Sequence, residues 1–277
     1  MISSLFEYRF LQNAVMAGIL ASIVCGIIGV IIVEKKLVMM SGGIAHTSYG
    51  GVGLGFLLKF EPIIGAFIFS LLAALGIGYI KRNNIVRSDV IIGLFWSFGM
   101  ALGVIFITLM PGYPPDLNSY LFGNILSVTR ANLYLMLAAT LIVVILIVSL
   151  FDYWKSYLFD DEFATIIGVK TAFLEYLLMI LIAITVVVLI RVVGIILVIA
   201  LLTAPAATAG MLTNNLKKRM IYAIIFGNLF SFIGIWISYE LNISTGAAIV
   251  VISTMSFFLA YLGRFLFKRH DQKLFNV

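Results

Sequence analysis

The sequence predicts an all-α, polytopic membrane protein. It forms a single transmembrane domain over residues 1–277, with about eight to nine membrane-crossing helices, broken helices among them. Three observations predict this class. Of the 277 residues 63% are apolar and 11% charged, against about a quarter charged in an ordinary soluble domain. Mean hydropathy is +1.17. Apolar runs near or above the ~20 residues that cross a ~30 Å hydrocarbon core recur along the whole length, which calls for helices rather than a barrel.

Nine segments qualify: 12–33, 37–58, 62–80, 89–110, 131–151, 172–190, 192–213, 220–239 and 244–266. The first is not a cleavable signal, since Glu7 and Arg9 give no clear basic leader and no A-x-A site follows. It carries the only cysteine, Cys25, which can form no internal disulfide and reads as a small buried hydrophobe. Asp89, after Ser88, reads as a cap for the fourth segment. With the N-terminus outside, nine crossings place 14 Lys and Arg residues in cytoplasmic loops and only Arg9, Lys59, Arg130 and Arg191 outside. Basic loops stay in the cytoplasm. The net charge of +6 therefore reads as anchoring to inner-leaflet lipid and not as a nucleic-acid footprint. The outer Lys59, Arg130 and Arg191 can meet an acidic docking protein or lipid phosphates.

The stretches between spans reach only about twenty residues, so no soluble domain is hidden among them. The outer one, PGYPPDLNSYLFGNILSVTR (Pro111 to Arg130), has three prolines that forbid a continuous helix, then a short apolar stretch suited to the interface. The inner one, FDYWKSYLFDDEFATIIGVKT (Phe151 to Thr171), predicts a short helix: Asp160 or Asp161 caps it, Glu162 follows, Phe163, Ile166 and Ile167 share a face, and Gly168 ends it. Such a helix lies on the membrane or fits a partner's groove.

The second segment contains MSGGIAHTSYGGVGLG, Met40 to Gly55. Nine residues beyond Leu37, at ~1.5 Å each, put His46 about 14 Å deep, near mid-bilayer. Ionisable groups at that depth are costly and face a cavity or another helix. Gly43, Thr47, Gly51 and Gly55 form a small-residue stripe for close packing; beside it run Gly42, His46, Gly50 and Gly53, with Tyr49 adjacent. Glycine this dense is expected to weaken the helix, as in the discontinuous helices of transporters. An imidazole suits borderline transition metals, and two copies in a dimer supply two nitrogens; equally, it can hydrogen-bond a neighbouring helix. In the seventh segment Pro205 frees the carbonyl of Leu201, which Thr203 or Thr208 can satisfy, unless they line a pore. His270, in the tail, reads as solvated or beside lipid headgroups. No G-x-x-x-x-G-K-[ST] or H-E-x-x-H motif is present, so the chain carries no ATPase motif and no metalloprotease helix.

Five stretches in order, GGIAHTSYGGVGLG, SYLFG (Ser119 to Gly123), DDEFATIIGV, RVVGIILVIALLTAPAATA and ISTGAAIVV (Ile243 to Val251), resemble the permease subunits of ABC importers for zinc, manganese or ferrous iron. The resemblance implies a plasma-membrane homodimer around a central pathway, with no permanently bound cofactor and a divalent metal ion as cargo. Its partners would be a cytoplasmic ATPase that supplies ATP hydrolysis and an extracytoplasmic metal-binding protein. The helix around Asp160, Asp161, Glu162, Phe163 and Gly168 would be the coupling helix. His46 would be a pathway ligand, with Gly42, Thr47, Tyr49, Gly50, Thr203 and Pro205 as candidate lining residues, and Lys59, Arg130 and Arg191 as candidate docking residues. The family's Asp-x-x-x-His pair departs here: the histidine matches His46, but Gly42 stands at the acid's position. Ser41, Thr47, Tyr49 or a freed backbone carbonyl can substitute. A permease for a metal chelate or other small solute and a stand-alone secondary transporter are the alternatives. An intramembrane enzyme would need paired acids or a metal cluster within the spans, and none is visible.

Overall fold

The computed structural model describes residues 7–83, 87–112, 123 and 125–274, with side chains up to 266 in the last helix. Most of the outer loop, including Ser119 to Phe122 of SYLFG, and the side chain of His270 lie outside the described residues. The long helices are α1 (Arg9–Glu34), α2 (Val38–Leu58), α3 (Pro62–Arg82), α4 (Ser88–Thr108), α5 (Arg130–Ser149), α8 (Thr171–Val193), α9 (Ile195–Leu212), α10 (Leu216–Leu241) and α11 (Thr245–Leu274). A 3-10 turn, Ile125–Ser127, precedes α5, and two short helices, α6 (Phe151–Phe159) and α7 (Asp161–Ile166), follow it. All nine predicted segments are helical, and no strand occurs among the described residues.

Eight of the nine long helices are apolar enough to cross a membrane; α2 is the exception. It is 21 residues long, equal to α3 and α4, or about 31 Å at ~1.5 Å per residue. Its glycines and polar residues keep it below the others in hydropathy, and its neighbours enclose it. The α2–α3 turn places a Cβ-free surface on both helices: a Cβ at Gly51 would overlap the carbonyl of Gly65, and one at Gly65 would overlap that of Gly51. On the adjoining face α2 runs parallel to α4, with Gly43 on Ile92, Thr47 on Gly99 and Gly53 on Gly103. The Thr47 hydroxyl lies 2.7 Å from the Gly43 carbonyl and 2.9 Å from that of Phe95 in α4, tying the pair together. Glycine here permits backbones to touch, the means by which helices associate where lipid is as apolar as they are.

The expected weakening of the glycine-rich segment does not break it; α2 is continuous. The interruption falls at Gly194, between α8 and α9, where φ is +80° and ψ 161°, a conformation essentially reserved for glycine. Gly123, at the end of SYLFG, packs its α-carbon against the backbone of Val193 and Gly194, where any Cβ would collide. The freed Leu201 carbonyl is taken by neither candidate: the Thr203 hydroxyl bonds Ile199 and Ala200 carbonyls at 2.8 and 3.3 Å, and Thr208 bonds Ala204 at 2.8 Å. Each threonine turns back onto its own preceding turn, the usual outlet for a hydroxyl inside a helix. Asp89 serves the start of α4 from within the helix and not from the N-cap position, its carboxylate accepting from the N–H groups of Asp89 and Val90. The helix starts at Ser88, which leaves Asp89 in its first turn, paired with Arg87 at 2.9 Å.

α1 and α8 are the most enclosed of the apolar spans and α11 the least. Ion pairs sort the helix ends into two sets. At one end Glu34 meets Arg219, Lys35 meets Asp161 at 3.5 Å, and Glu175 meets Lys81 at 2.9 Å and Arg82 at 3.3 Å. At the other, Arg191 meets Glu61 at 2.7 Å. These are the groupings that nine alternating crossings require. The α2–α3 contact leads to a direct prediction. Gly51→Val should destabilise the detergent-solubilised protein by about 1–3 kcal/mol or more through overpacking, read as a lower thermal midpoint, whereas Gly93→Val, at a position with open space, should leave that midpoint nearly unchanged.

Candidate functional site

His46 stands out on α2 by its surroundings. From Met40 to Gly53 every residue is buried except His46, which is half-buried. Its ring stacks on Trp96 of α4, with centroids 4.0 Å apart and planes at 10°. Nδ1 is buried with no hydrogen-bond partner, so the hydrogen bond to a neighbouring helix that would make this a purely structural histidine is missing. The register explains the pairing. Because α2 and α4 run parallel with Thr47 on Gly99, residue 46 comes level with residue 96.

Gly42, one turn before His46, faces the same aromatic. A Cβ there would lie 3.5 Å from Trp96 Cζ3 and 3.8 Å from Ile199 Cδ1 of α9. Ile199 begins the part of α9 that flanks this site: Ile196, Ile199, Ala200, Thr203, Ala207 and Gly210 are all half-buried at helical spacing, while Leu197, Val198, Leu201, Leu202 and Pro205 are buried behind them. The structure thus gathers half-buried His46, buried Gly42 and Ile199, which shares the half-buried face of α9 with Thr203, around Trp96. It does not bring the others there. Tyr49 and Gly50 are buried, Tyr49 against Gly103 and Gly50 between Phe69 and the Gly99 carbonyl, and Pro205 faces inward. Thr47 spends its hydroxyl on backbone carbonyls, and so does Ser41, on Val38 at 2.8 Å.

Among the described residues no three of His, Cys, Asp and Glu gather into a group able to hold a metal ion. What one copy presents is one imidazole beside one indole. A neutral imidazole nitrogen is a good ligand for borderline transition metals, and a single nitrogen makes a weak, transient site. Trp96 and Ile199 were not singled out from the sequence; an aromatic residue in an apolar span gives no signal of its own. The glycine pair Gly99 and Gly103, by contrast, is a G-x-x-x-G spacing that marks α4 as a close-packing partner.

The short inner helix is built as its sequence predicts. Asp160 caps α7, its carboxylate accepting from the N–H groups of Glu162 and Phe163, both at 3.0 Å, and Gly168 follows with φ +85°. Ile166 is 81% exposed, and Phe163 and Ile167 are more than half exposed. The element beneath is anchored by buried aromatic residues. Trp154 and Tyr157 of α6 are buried in edge-to-face contact at 6.2 Å, and Lys35 Nζ sits 3.8 Å above the Tyr157 ring while reaching Asp161. Burial, with the Glu175 and Asp161 carboxylates nearby, pushes the Tyr157 phenol up. The ring under Lys35 therefore stays neutral at physiological pH. Lys35 joins this inner element to the α1–α2 turn, where Lys36 takes φ +57°. Of the candidate docking residues, Arg191 is engaged by Glu61, Lys59 ends α2 in a left-handed conformation with φ +59°, and Arg130 opens α5.

Comparison with known proteins places this geometry in a family. The model of the ABC 3 transport family matches residues 7–264. The chain is 41% identical over 263 residues to an uncharacterized membrane protein of Synechocystis, covering 95% of this chain and 92% of that one. It is 37% identical to the manganese transport system membrane protein MntC of Listeria monocytogenes, covering 94% and 93%. The probable iron transport system membrane protein of Haemophilus influenzae is 34% identical, over 92% and 93%. Among solved structures, the PsaBC complex of Streptococcus pneumoniae with a Fab contains a chain that superposes with a TM-score of 0.85 at 36% identity, covering 94% of each chain. A putative metal-chelate type ABC transporter in an inward-facing conformation shares the fold, with a TM-score of 0.77 at 14% identity. With the family model matching residues 7–264 and its relatives aligned over more than nine-tenths of its length, the chain is a multi-pass membrane protein that belongs to the ABC 3 transport family.

Proposed function

We propose that the chain is the permease subunit of an ATP-driven importer of a divalent transition metal ion, zinc, manganese or ferrous iron, and that His46 is the ligand each copy offers the passing ion. The observation that carries this reading is His46 itself. It is the one residue between Met40 and Gly53 that is not fully buried, and its buried Nδ1 has no partner. Relatives named for manganese and iron transport support the cargo class. Two copies side by side supply two imidazole nitrogens to one pathway, walled by the half-buried face of α9 that holds Thr203. A separate ATPase supplies the energy from the cytoplasm, and an extracytoplasmic metal-binding protein delivers the ion, meeting Lys59, Arg130 and Arg191. The distribution of basic residues between loops supports an N-terminus outside and a C-terminus in the cytoplasm of a cell membrane.

In this mechanism ATP binding closes the ATPase pair and moves α7, whose exposed Phe163, Ile166 and Ile167 form the docking face. Lys35 carries that movement to the turn that begins α2, and the access of His46 switches sides. A weak site suits the task, because an ion held tightly would not leave.

In proteoliposomes holding the permease with its ATPase and binding protein, His46→Ala should lower ATP-dependent uptake of the transported ion by at least about tenfold, the scale on which metal-site groups act. Unchanged uptake of zinc, manganese and ferrous iron would remove His46 from the pathway, and uptake without ATP would exclude the ATPase partner. Asp160→Ala should weaken α7 by about 1 kcal/mol. Hydrogen exchange at the Glu162 and Phe163 amides should speed up, and ATPase activity in the complex should become less responsive to loaded binding protein.

A further inference from the structure

Trp96 has no role in the mechanism so far, yet its ring stacks directly on that of His46. The two rings lie almost parallel at 4.0 Å. One face of the imidazole is therefore covered, and with Nδ1 buried the Nε2 edge is the half of the ring left open. The same indole stands in front of Gly42, where a Cβ would already be in contact with Trp96 Cζ3 at 3.5 Å and Ile199 Cδ1 at 3.8 Å. A Cβ fits in ordinary contact with both, and a longer side chain directed toward the indole would meet its ring. Serine and threonine hydroxyls around the site, on Ser41 and Thr47, are committed to backbone carbonyls.

We propose that Trp96 is a specificity-determining residue: by holding the His46 ring against its face and filling the room in front of Gly42, it limits each copy to a single nitrogen donor and keeps oxygen ligands out. The inference rests on His46 being a pathway ligand. Its consequence follows from coordination chemistry. Nitrogen donors bind the later first-row ions more strongly, with manganese(II) weakest in the series, while carboxylate oxygens suit manganese. A site of imidazole edges walled by indole therefore favours zinc and ferrous iron over manganese. Adding a carboxylate at position 42 has no effect of its own kind until the indole is cut back.

The test is a cycle of four proteins in the same proteoliposomes with ATPase and binding protein: wild type, Gly42→Asp, Trp96→Ala and the double variant. Uptake of zinc, ferrous iron and manganese is measured singly and in competition, and assembly of each variant is checked by gel filtration and thermal midpoint. Gly42→Asp alone is expected to lower uptake of all three ions together, because the new side chain and the indole compete for one space. The double variant is expected to recover uptake and raise the manganese-to-zinc ratio by about tenfold or more over wild type. Trp96→Phe, which keeps a stacked ring, should hold the wild-type ratio. A purely structural role for Trp96 would lower assembly and uptake without moving that ratio. If Gly42→Asp raises the manganese ratio with Trp96 in place, or the double variant keeps the wild-type ratio, the inference is overturned. If His46→Ala in the wild-type background leaves uptake intact, it is the ligand role of His46 that fails; loss of uptake in that variant with a cycle insensitive to Trp96 isolates the failure to this inference.

Discussion

The approach of α2 to α3 and α4 is the contact on which the other features of this molecule depend. Two backbones meet at Gly51 and Gly65 with no side chain between them, and Thr47 sits directly on Gly99 while its hydroxyl reaches across to the Phe95 carbonyl. Dispersion and polar contacts of this kind must supply the association energy, since burying apolar surface gains little inside lipid. Close approach also fixes register. A side chain larger than glycine at either place would push the helices apart, and His46 would lose its alignment with Trp96.

The electrostatics serve a different purpose at each end. At the lysine-rich end the acids Glu34, Asp161 and Glu175 each take a basic partner from another element. Exposed pairs contribute little stability individually, but Glu175 and Lys35 are mostly enclosed, 13% and 15% exposed, and the Lys35 ammonium also lies over a buried tyrosine ring. This end is organised around the capped α7, which leaves its apolar side outward while its neighbours hold it from beneath.

Much of the fold could be read from the sequence. Periodicity and length located all nine long helices, eight of them to within about four residues at each end, while α11 runs eight residues past its expected end at 266; Asp160 and Gly168 marked the limits of α7 because capping chemistry is local. Features that depend on one helix meeting another could not be read in this way. Glycine density in α2 pointed to a broken helix when its role is contact, because the same residue type serves both ends and only the neighbour decides. Pro205 pointed to Thr203 and Thr208 as partners for the Leu201 carbonyl, but both hydroxyls are satisfied within their own turn. His46 was visible as an ionisable group at mid-span, whereas Trp96 and Ile199 became part of its surroundings only through the parallel register of α2 and α4 and the fold of α9 beside them.

The low hydropathy of α2 has a consequence for how the chain is made. A membrane-length window of high hydropathy occurs in eight of the long helices, and α2 falls below them because glycines, His46 and hydroxyl residues interrupt its apolar side chains. It leaves the ribosome after α1 and before both of the helices that enclose it. The helix that carries the histidine therefore leans more on neighbours synthesised after it, α3 and α4, than the other spans do.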